Sequence, residues 1–152
     1  MSDIKQLISI IIPVYNESES IGFLLDEVIN VMSFHKFNFE LIVVNDGSKD
    51  NTQQVLKQQT LKIKELSVIS LRKNYGQTSA MSAGFDNSKG DIVITLDGDL
   101  QNDPNDVPIL ISEINKGISF GSFCKSPSKV ITISPLESVS YTHLTLPTKR
   151  IV

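Results

Sequence analysis

The stretch GDIVITLDGDLQNDPNDVP, residues 90–108, decides how this chain is read. Its segment DIVITL, Asp91 to Leu96, is β-branched and too short for a helix, the character of a strand buried on both faces. The strand stops at an acid-glycine-acid turn, Asp97-Gly98-Asp99, and Pro104 then opens a helix through Lys116. Strand, polar turn and helix in that order make the repeating unit of an α/β domain.

Toward the amino terminus the same unit recurs three times. ISIIIPV, Ile8 to Val14, is a buried strand ended by Pro13. Ser18 and Ser20 can cap a following helix whose apolar face is Ile21, Leu24, Leu25, Val28 and Met32, at spacings of three and four. FELIVVN, Phe39 to Asn45, is a second strand, followed by the turn sequence Asp46-Gly47-Ser48. Asp50 with Gln53 resembles a capping box for a helix reaching about Thr60. Leu66 to Leu71 is a third strand, and Gly76 to Asn87 a small-residue helix able to lie close to a sheet. The alternation predicts an α/β fold, a mostly parallel sheet with helices on both faces and right-handed crossovers. Ligands in such sheets bind beyond the carboxyl ends of the strands. Four polar segments occupy those ends: Pro13 to Glu17, Asn45 to Ser48, Arg72 to Gly76, and Asp97 to Gln101.

Composition narrows the function classes. The 152 residues carry 14 Lys+Arg against 17 Asp+Glu, a net charge of −3, which argues against a nucleic-acid surface and its basic stripe. With 40% hydrophobic and 20% charged residues the chain is globular rather than disordered. No apolar run approaches the roughly 20 residues of a membrane-spanning helix. The first apolar run, Leu7 to Val14, contains a proline and reads as a strand, not a signal peptide. The single cysteine, Cys124, excludes an internal disulfide and fits a reducing compartment, so a cytoplasmic location is expected. Nothing in the sequence sets the oligomeric state.

Charge divides the chain near residue 117. Residues 1–117 hold 16 acids and 10 bases, whereas residues 118–152 hold one acid and four bases and include 14 Ser, Thr or Pro. The first part reads as a well-formed body and the second as a segment of different character, without the pattern of a long helix.

At the strand ends each residue admits two readings. Two close carboxylates such as Asp97 and Asp99 repel unless a cation lies between them or one is protonated. Mg²⁺ and Mn²⁺ take oxygen ligands of this kind, often one or two carboxylates plus substrate phosphates. Gly98 admits a close approach of the backbone, and Gln101 adds a neutral oxygen. The plainer reading is a solvated turn, with Asp103 and Asp106 as further surface acids. Asp46 suits an acceptor for a ligand hydroxyl or N–H, or an Asx turn. Tyr15 can stack on a base or cover the sheet edge, and Glu17 can accept from a ribose or favour the first turn of a helix. Arg72 and Lys73 can face phosphate but more often are solvated. His35 and His143 have no partner at ligand spacing, and Cys124 no neighbouring base. The chain lacks G-x-G-x-x-G after its first strand, G-x-x-x-x-G-K-[ST], and a Ser-His-Asp set, which disfavours dinucleotide, P-loop and hydrolase-triad chemistry.

Taken in order, IPVYNESESI (Ile12 to Ile21), LIVVNDGSKDNT (Leu41 to Thr52), LRKNYGQTSAMSAGF (Leu71 to Phe85) and GDIVITLDGDLQNDPNDVP (Gly90 to Pro108) resemble family 2 glycosyltransferases of the GT-A fold. Within that family they look most like the polyprenyl-phosphate glycosyltransferases, over about residues 7–117. The resemblance implies that Pro13, Tyr15 and Glu17 line a nucleotide and that Val44 and Asp46 hold its base and ribose. It further implies that Asp97, Gly98 and Asp99 meet the sugar diphosphate, with Asp99 and Gln101 on an Mg²⁺ or Mn²⁺ ion and Asp97 nearer the donor. The implied reaction is inverting transfer of a sugar from a UDP- or GDP-linked donor to a polyprenyl phosphate at the cytoplasmic face of a membrane. No general base stands out in the second half, and a phosphate acceptor needs none, since its second pKa near 6 leaves it largely ionised at pH 7. The alternatives are a non-catalytic nucleotide-binding fragment and a D-x-D phosphohydrolase, whose carboxylate pair normally follows the first strand.

Beyond Gly117 the resemblance stops. VSYTHLTLPTKRIV, residues 139–152, is similar to translated sequencing-adapter tails, and residues 118–152 are read as a broken or foreign end, or else a disordered terminus. A GT-A sheet truncated after its fourth strand and the following helix is expected to present an unpaired edge and to be poorly stable.

Overall fold

The computed structural model describes residues 6–116 in full and the backbone of residues 129–132. The elements are β1 (Leu7–Val14), α1 (Ile21–Phe34), β2 (Asn38–Asn45), α2 (Thr52–Lys62), β3 (Leu66–Ser70), α3 (Gln77–Asn87), β4 (Ile92–Thr95), α4 (Asp106–Asn115) and β5 (Lys129–Thr132). The strands form one parallel sheet in the order β3-β2-β1-β4-β5. The order reverses between β1 and β4: the chain steps outward through β2 and β3, then returns to the opposite side of β1.

Helices cover both faces, as the alternation predicts. On one face Ile8, Ile10 and Ile12 of β1 pack with Leu41, Val43, Ile92 and Ile94 under α1, α2 and α4. The five apolar positions of α1 are all buried, and Leu56 of α2 and Val107, Ile111 and Ile114 of α4 complete that layer. Ile11, Ile42, Val44 and Val93 point the other way, because side chains alternate along a strand, and meet Ala80 of α3. Gly84 lets this helix lie directly on the sheet, since a Cβ there would stand 2.4 Å from Cγ2 of Ile11.

At the amino ends of the strands a polar cluster ties three segments together. The buried Ser9 hydroxyl donates to Glu40 Oε1 (2.6 Å) and accepts the Gly90 N–H (2.8 Å). The same Glu40 oxygen accepts the Lys89 N–H at 2.7 Å.

The sheet also runs further than four strands. β5 pairs in parallel with β4, from Ile92↔Lys129 to Thr95↔Thr132. The edge expected to be bare beside β4 is therefore paired; Val130-Ile131-Thr132 is a β-branched run that supplies a strand where the hydroxyl-rich composition pointed only to irregular chain. Cys124 and His143 and the adapter-like segment lie outside the described residues.

Replacing Gly84 with Val should destabilise the domain by about 1–3 kcal/mol through overpacking against Ile11. Urea unfolding followed by circular dichroism measures it, and an unchanged midpoint would show that α3 does not rest on the sheet as described.

Candidate functional site

The four strand ends are built by local rules and then tied to one another. After β1 the chain turns at Asn16, in the left-handed region at φ 54. The turn is fastened to the β2–α2 loop by Asn16 N–H to Ser48 Oγ (2.9 Å), Lys49 N–H to Asn16 Oδ1 (2.8 Å) and Glu17 N–H to Thr52 Oγ1 (2.9 Å). Asp50 joins them, accepting from the Ser18 N–H (3.2 Å) and from the Thr52 N–H (2.9 Å). Burial alone would raise its pKa, but the hydrogen bonds from Thr52 and Ser18 hold it down to about 2.

Two expected caps are used differently. Asp50 does accept from the start of α2, but Gln53 turns its Oε1 to Asn45 Nδ2 and Ser70 Oγ, both at 2.7 Å, instead of completing a capping box. The Ser20 hydroxyl lies 2.8 Å from the Gly98 carbonyl and 2.9 Å from Glu17 Oε2, so it links the start of α1 to the acid-glycine-acid turn rather than capping α1.

That turn sits against the carboxyl end of β1. A Cβ on Gly98 would lie 2.7 Å from Cγ1 of Val14 and 3.3 Å from the Pro13 carbonyl, so a side chain there would have to push aside the Val14 methyl or the turn itself. The flanking acids differ. Asp99 is exposed and accepts the Gln101 N–H at 3.1 Å. Asp97 is half-buried and accepts Gln77 Nε2 at 3.0 Å. Burial pushes the Asp97 carboxyl above its usual range, and the negative charge of Asp99 adds to the rise. The buried Asn102 amide and the Gln77 hydrogen bond oppose it, although neither Asn102 amide atom reaches hydrogen-bond geometry.

These segments enclose a cleft of about 380 Å³ at the switch in strand order. Pro13, Tyr15, Glu17, Asp46, Asp97, Gly98 and Asp99 all line it, so residues drawn from three strand ends converge. Val44 does not reach it: its side chain is fully buried on the α3 face. Gln101 is exposed beyond the rim and contributes its backbone N–H to Asp99. Arg72 and Lys73 are exposed and off the lining, with Lys73 Nζ 5.2 Å from the Tyr75 ring centre. His35 is a surface residue stacked on Phe37. The cleft also takes in Asn74 and Gly76, from the strand-end segment Arg72 to Gly76, and adds Gln77 and Ala80, which the sequence placed only in the small-residue helix. The signal that could have found Gln77 is its place right after Gly76, a glycine between a strand end and a helix.

Among the described residues no group of three or more His, Cys, Asp or Glu side chains is placed to hold a metal ion. Two carboxylates, one exposed and one desolvated beside it, fit a hard divalent ion that takes its remaining ligands from water and phosphate. No helix among the described residues is long and apolar enough to cross a membrane.

A family model described as Glycosyl transferase family 2 matches residues 9–146. The chain belongs to that family. The match runs past residue 117 and across β5. Among curated relatives, the dodecaprenyl-phosphate galacturonate synthase of Rhizobium johnstonii is 39% identical over 113 residues, covering 72% of this chain and 32% of that protein. The undecaprenyl-phosphate 4-deoxy-4-formamido-L-arabinose transferase of Edwardsiella ictaluri is 41% identical over 120 residues, covering 77% and 37%. The chain thus spans about a third of the length of these relatives. A solved structure of glucosyl-3-phosphoglycerate synthase from Mycobacterium tuberculosis, in complex with Mn²⁺, UDP and phosphoglyceric acid, superposes with a TM-score of 0.58. It is 26% identical, with 72% of this chain and 39% of that one covered. The fold of this family 2 chain is GT-A.

A raised Asp97 pKa has a defined sign. The carboxyl costs nothing when protonated in both states, below the ordinary value of 3.8, and penalises the fold as pH rises through its higher folded value. Asp97→Asn should therefore gain stability relative to the parent at pH 7, with the gain shrinking in acid. Carboxyl NMR titration should place Asp97 above 3.8 and show it lower in Asp99→Asn. A parent midpoint at or below 3.8 would contradict the desolvated geometry.

Proposed function

We propose that this chain carries the donor-binding side of an inverting glycosyltransferase that moves a sugar from a nucleoside diphosphate to a polyprenyl phosphate. The observation that carries the proposal is the pairing of a carboxylate turn, Asp97-Gly98-Asp99, with the Pro13-Tyr15-Glu17 segment across one cleft at the strand-order switch. The names of the relatives support the acceptor class, dodecaprenyl and undecaprenyl phosphate. The bound UDP and Mn²⁺ of the glucosyl-3-phosphoglycerate synthase support the donor class.

Pro13, Tyr15 and Glu17 take the nucleoside, with Asp46 below them. Asp99 and Gln101 would hold a metal ion, Mg²⁺ or Mn²⁺, and Asp97 would meet the sugar diphosphate beside it. A bound divalent ion supplies charge neutralisation for the departing diphosphate. Gln77 holds Asp97 in place. Gly98 keeps the turn close enough to β1 for its acids to face the nucleoside side of the cleft. The acceptor phosphate is already ionised at neutral pH and attacks without a protein base. The cytoplasmic face of a membrane, where polyprenyl phosphates present their head groups, is the proposed location.

A second reading, nucleotide binding without transfer, is supported by coverage: these 152 residues span about a third of the length of the curated relatives they match. Sugar transfer to undecaprenyl phosphate by the chain separates the two readings.

UDP or GDP should bind in Mn²⁺ and lose at least about tenfold in affinity with chelator or in Asp99→Asn, the scale of a lost charged contact. Calorimetric titration reads this out, and equal affinity with and without metal would remove the metal site. Gly98→Ala should weaken the same binding by pressing the turn away from Val14. Undiminished affinity in that variant would show that the turn tolerates displacement.

A further inference from the structure

Asp46 follows β2 and Asp97 lies just beyond β4, and β1 lies between those two strands. The two acids share no strand pairing. What connects them is the start of α3. Both Asp46 oxygens accept consecutive backbone amides, Tyr75 N–H at 2.8 Å and Gly76 N–H at 2.9 Å. The next residue, Gln77, donates Nε2 to Asp97 Oδ1 at 3.0 Å. The loop is also pressed onto the end of β2: a Cβ on Gly47 would lie 2.3 Å from the Lys73 carbonyl carbon and 2.5 Å from the Asn74 nitrogen. Asp46 is only 4% exposed, so its carboxylate is turned toward protein amides rather than solvent.

We propose that Asp46 is a positioning residue, latching the start of α3 so that Gln77 holds Asp97 at the diphosphate end of the cleft. It acts across β1 through two backbone amides and one side-chain amide, a role separate from any contact it makes to the nucleoside. Hydrogen bonds to an ionised acceptor are the strong ones, and Asp46→Asn would turn one acceptor into a donor aimed at an N–H. The inference rests on the donor-site reading above.

Inorganic pyrophosphate separates the roles, because it has neither base nor ribose. Calorimetry on the 152-residue chain would compare Mn²⁺-pyrophosphate with Mn²⁺-UDP and Mn²⁺-GDP in the parent, Asp46→Asn, Gln77→Ala and the double variant. Each single change should weaken pyrophosphate about tenfold. The double variant should be no worse than either, the non-additivity expected of residues acting as one unit. Amide exchange at Tyr75 and Gly76 should accelerate in Asp46→Asn and not in Gln77→Ala. Loss of nucleotide affinity with full pyrophosphate affinity in Asp46→Asn would overturn the latch while leaving the donor site standing. Should Asp46→Asn fail to fold, unchanged pyrophosphate affinity in the exposed Gln77→Ala is sufficient to overturn it. A parent that binds neither pyrophosphate nor nucleotide would overturn the donor-site reading, and the latch with it.

Discussion

The unequal length of the two ladders on β1 shapes the whole functional end of the molecule. β1 pairs with β2 as far as Val14↔Asn45, but with β4 only to Ile11↔Thr95. The last bond across that boundary runs from the Leu96 N–H to the Ile11 carbonyl at 3.0 Å. Beyond it Pro13 has no N–H with which to extend the ladder toward β4. The two strand ends part there, and Asp97-Gly98-Asp99 drops into the opening, seated on Val14. A proline in a central strand is ordinarily damaging. Here it stands where the ladder must stop for a cleft to exist.

A cleft between loops needs those loops held, because loops are the mobile part of an α/β domain. This one is held by side chains with short reach and strong acceptors. Asn16, Ser48, Asp50 and Thr52 fasten the first two loops to each other, and Ser20 fastens the start of α1 to the acidic turn. Each neutral bond of this type is worth only about 1 kcal/mol net, and those to a carboxylate about twice that. Their effect is collective: they fix the directions in which Tyr15, Glu17 and Asp97 face.

The core and the site divide the two ends of the sheet. Ser9, Glu40, Lys89 and Gly90 close the amino ends with satisfied polar contacts. The carboxyl ends keep polar groups in tension, with Asp97 desolvated and Asn102 buried without a hydrogen-bond partner. Such strain of charge and solvation concentrates where a ligand completes the environment.

Much of this was legible in the sequence. Runs such as ISIIIPV and FELIVVN read as two-sided buried strands from their shortness and β-branching, and the spacing of Ile21, Leu24, Leu25, Val28 and Met32 by threes and fours reads as one helix face. The acids Asp97 and Asp99 could be picked out because they break an apolar run at a strand end. Contacts between segments distant in sequence were decided by the tertiary structure alone. The pleat turned Val44 toward α3 and away from the cleft, the nearness of Asn45 and Ser70 drew Gln53 away from its capping box, and the unfilled edge of β4 recruited Lys129–Thr132 as a fifth strand. Gln77 joined the site for the same reason: a side chain's partner is set by what the fold brings within hydrogen-bonding distance, and that distance is written in no local pattern.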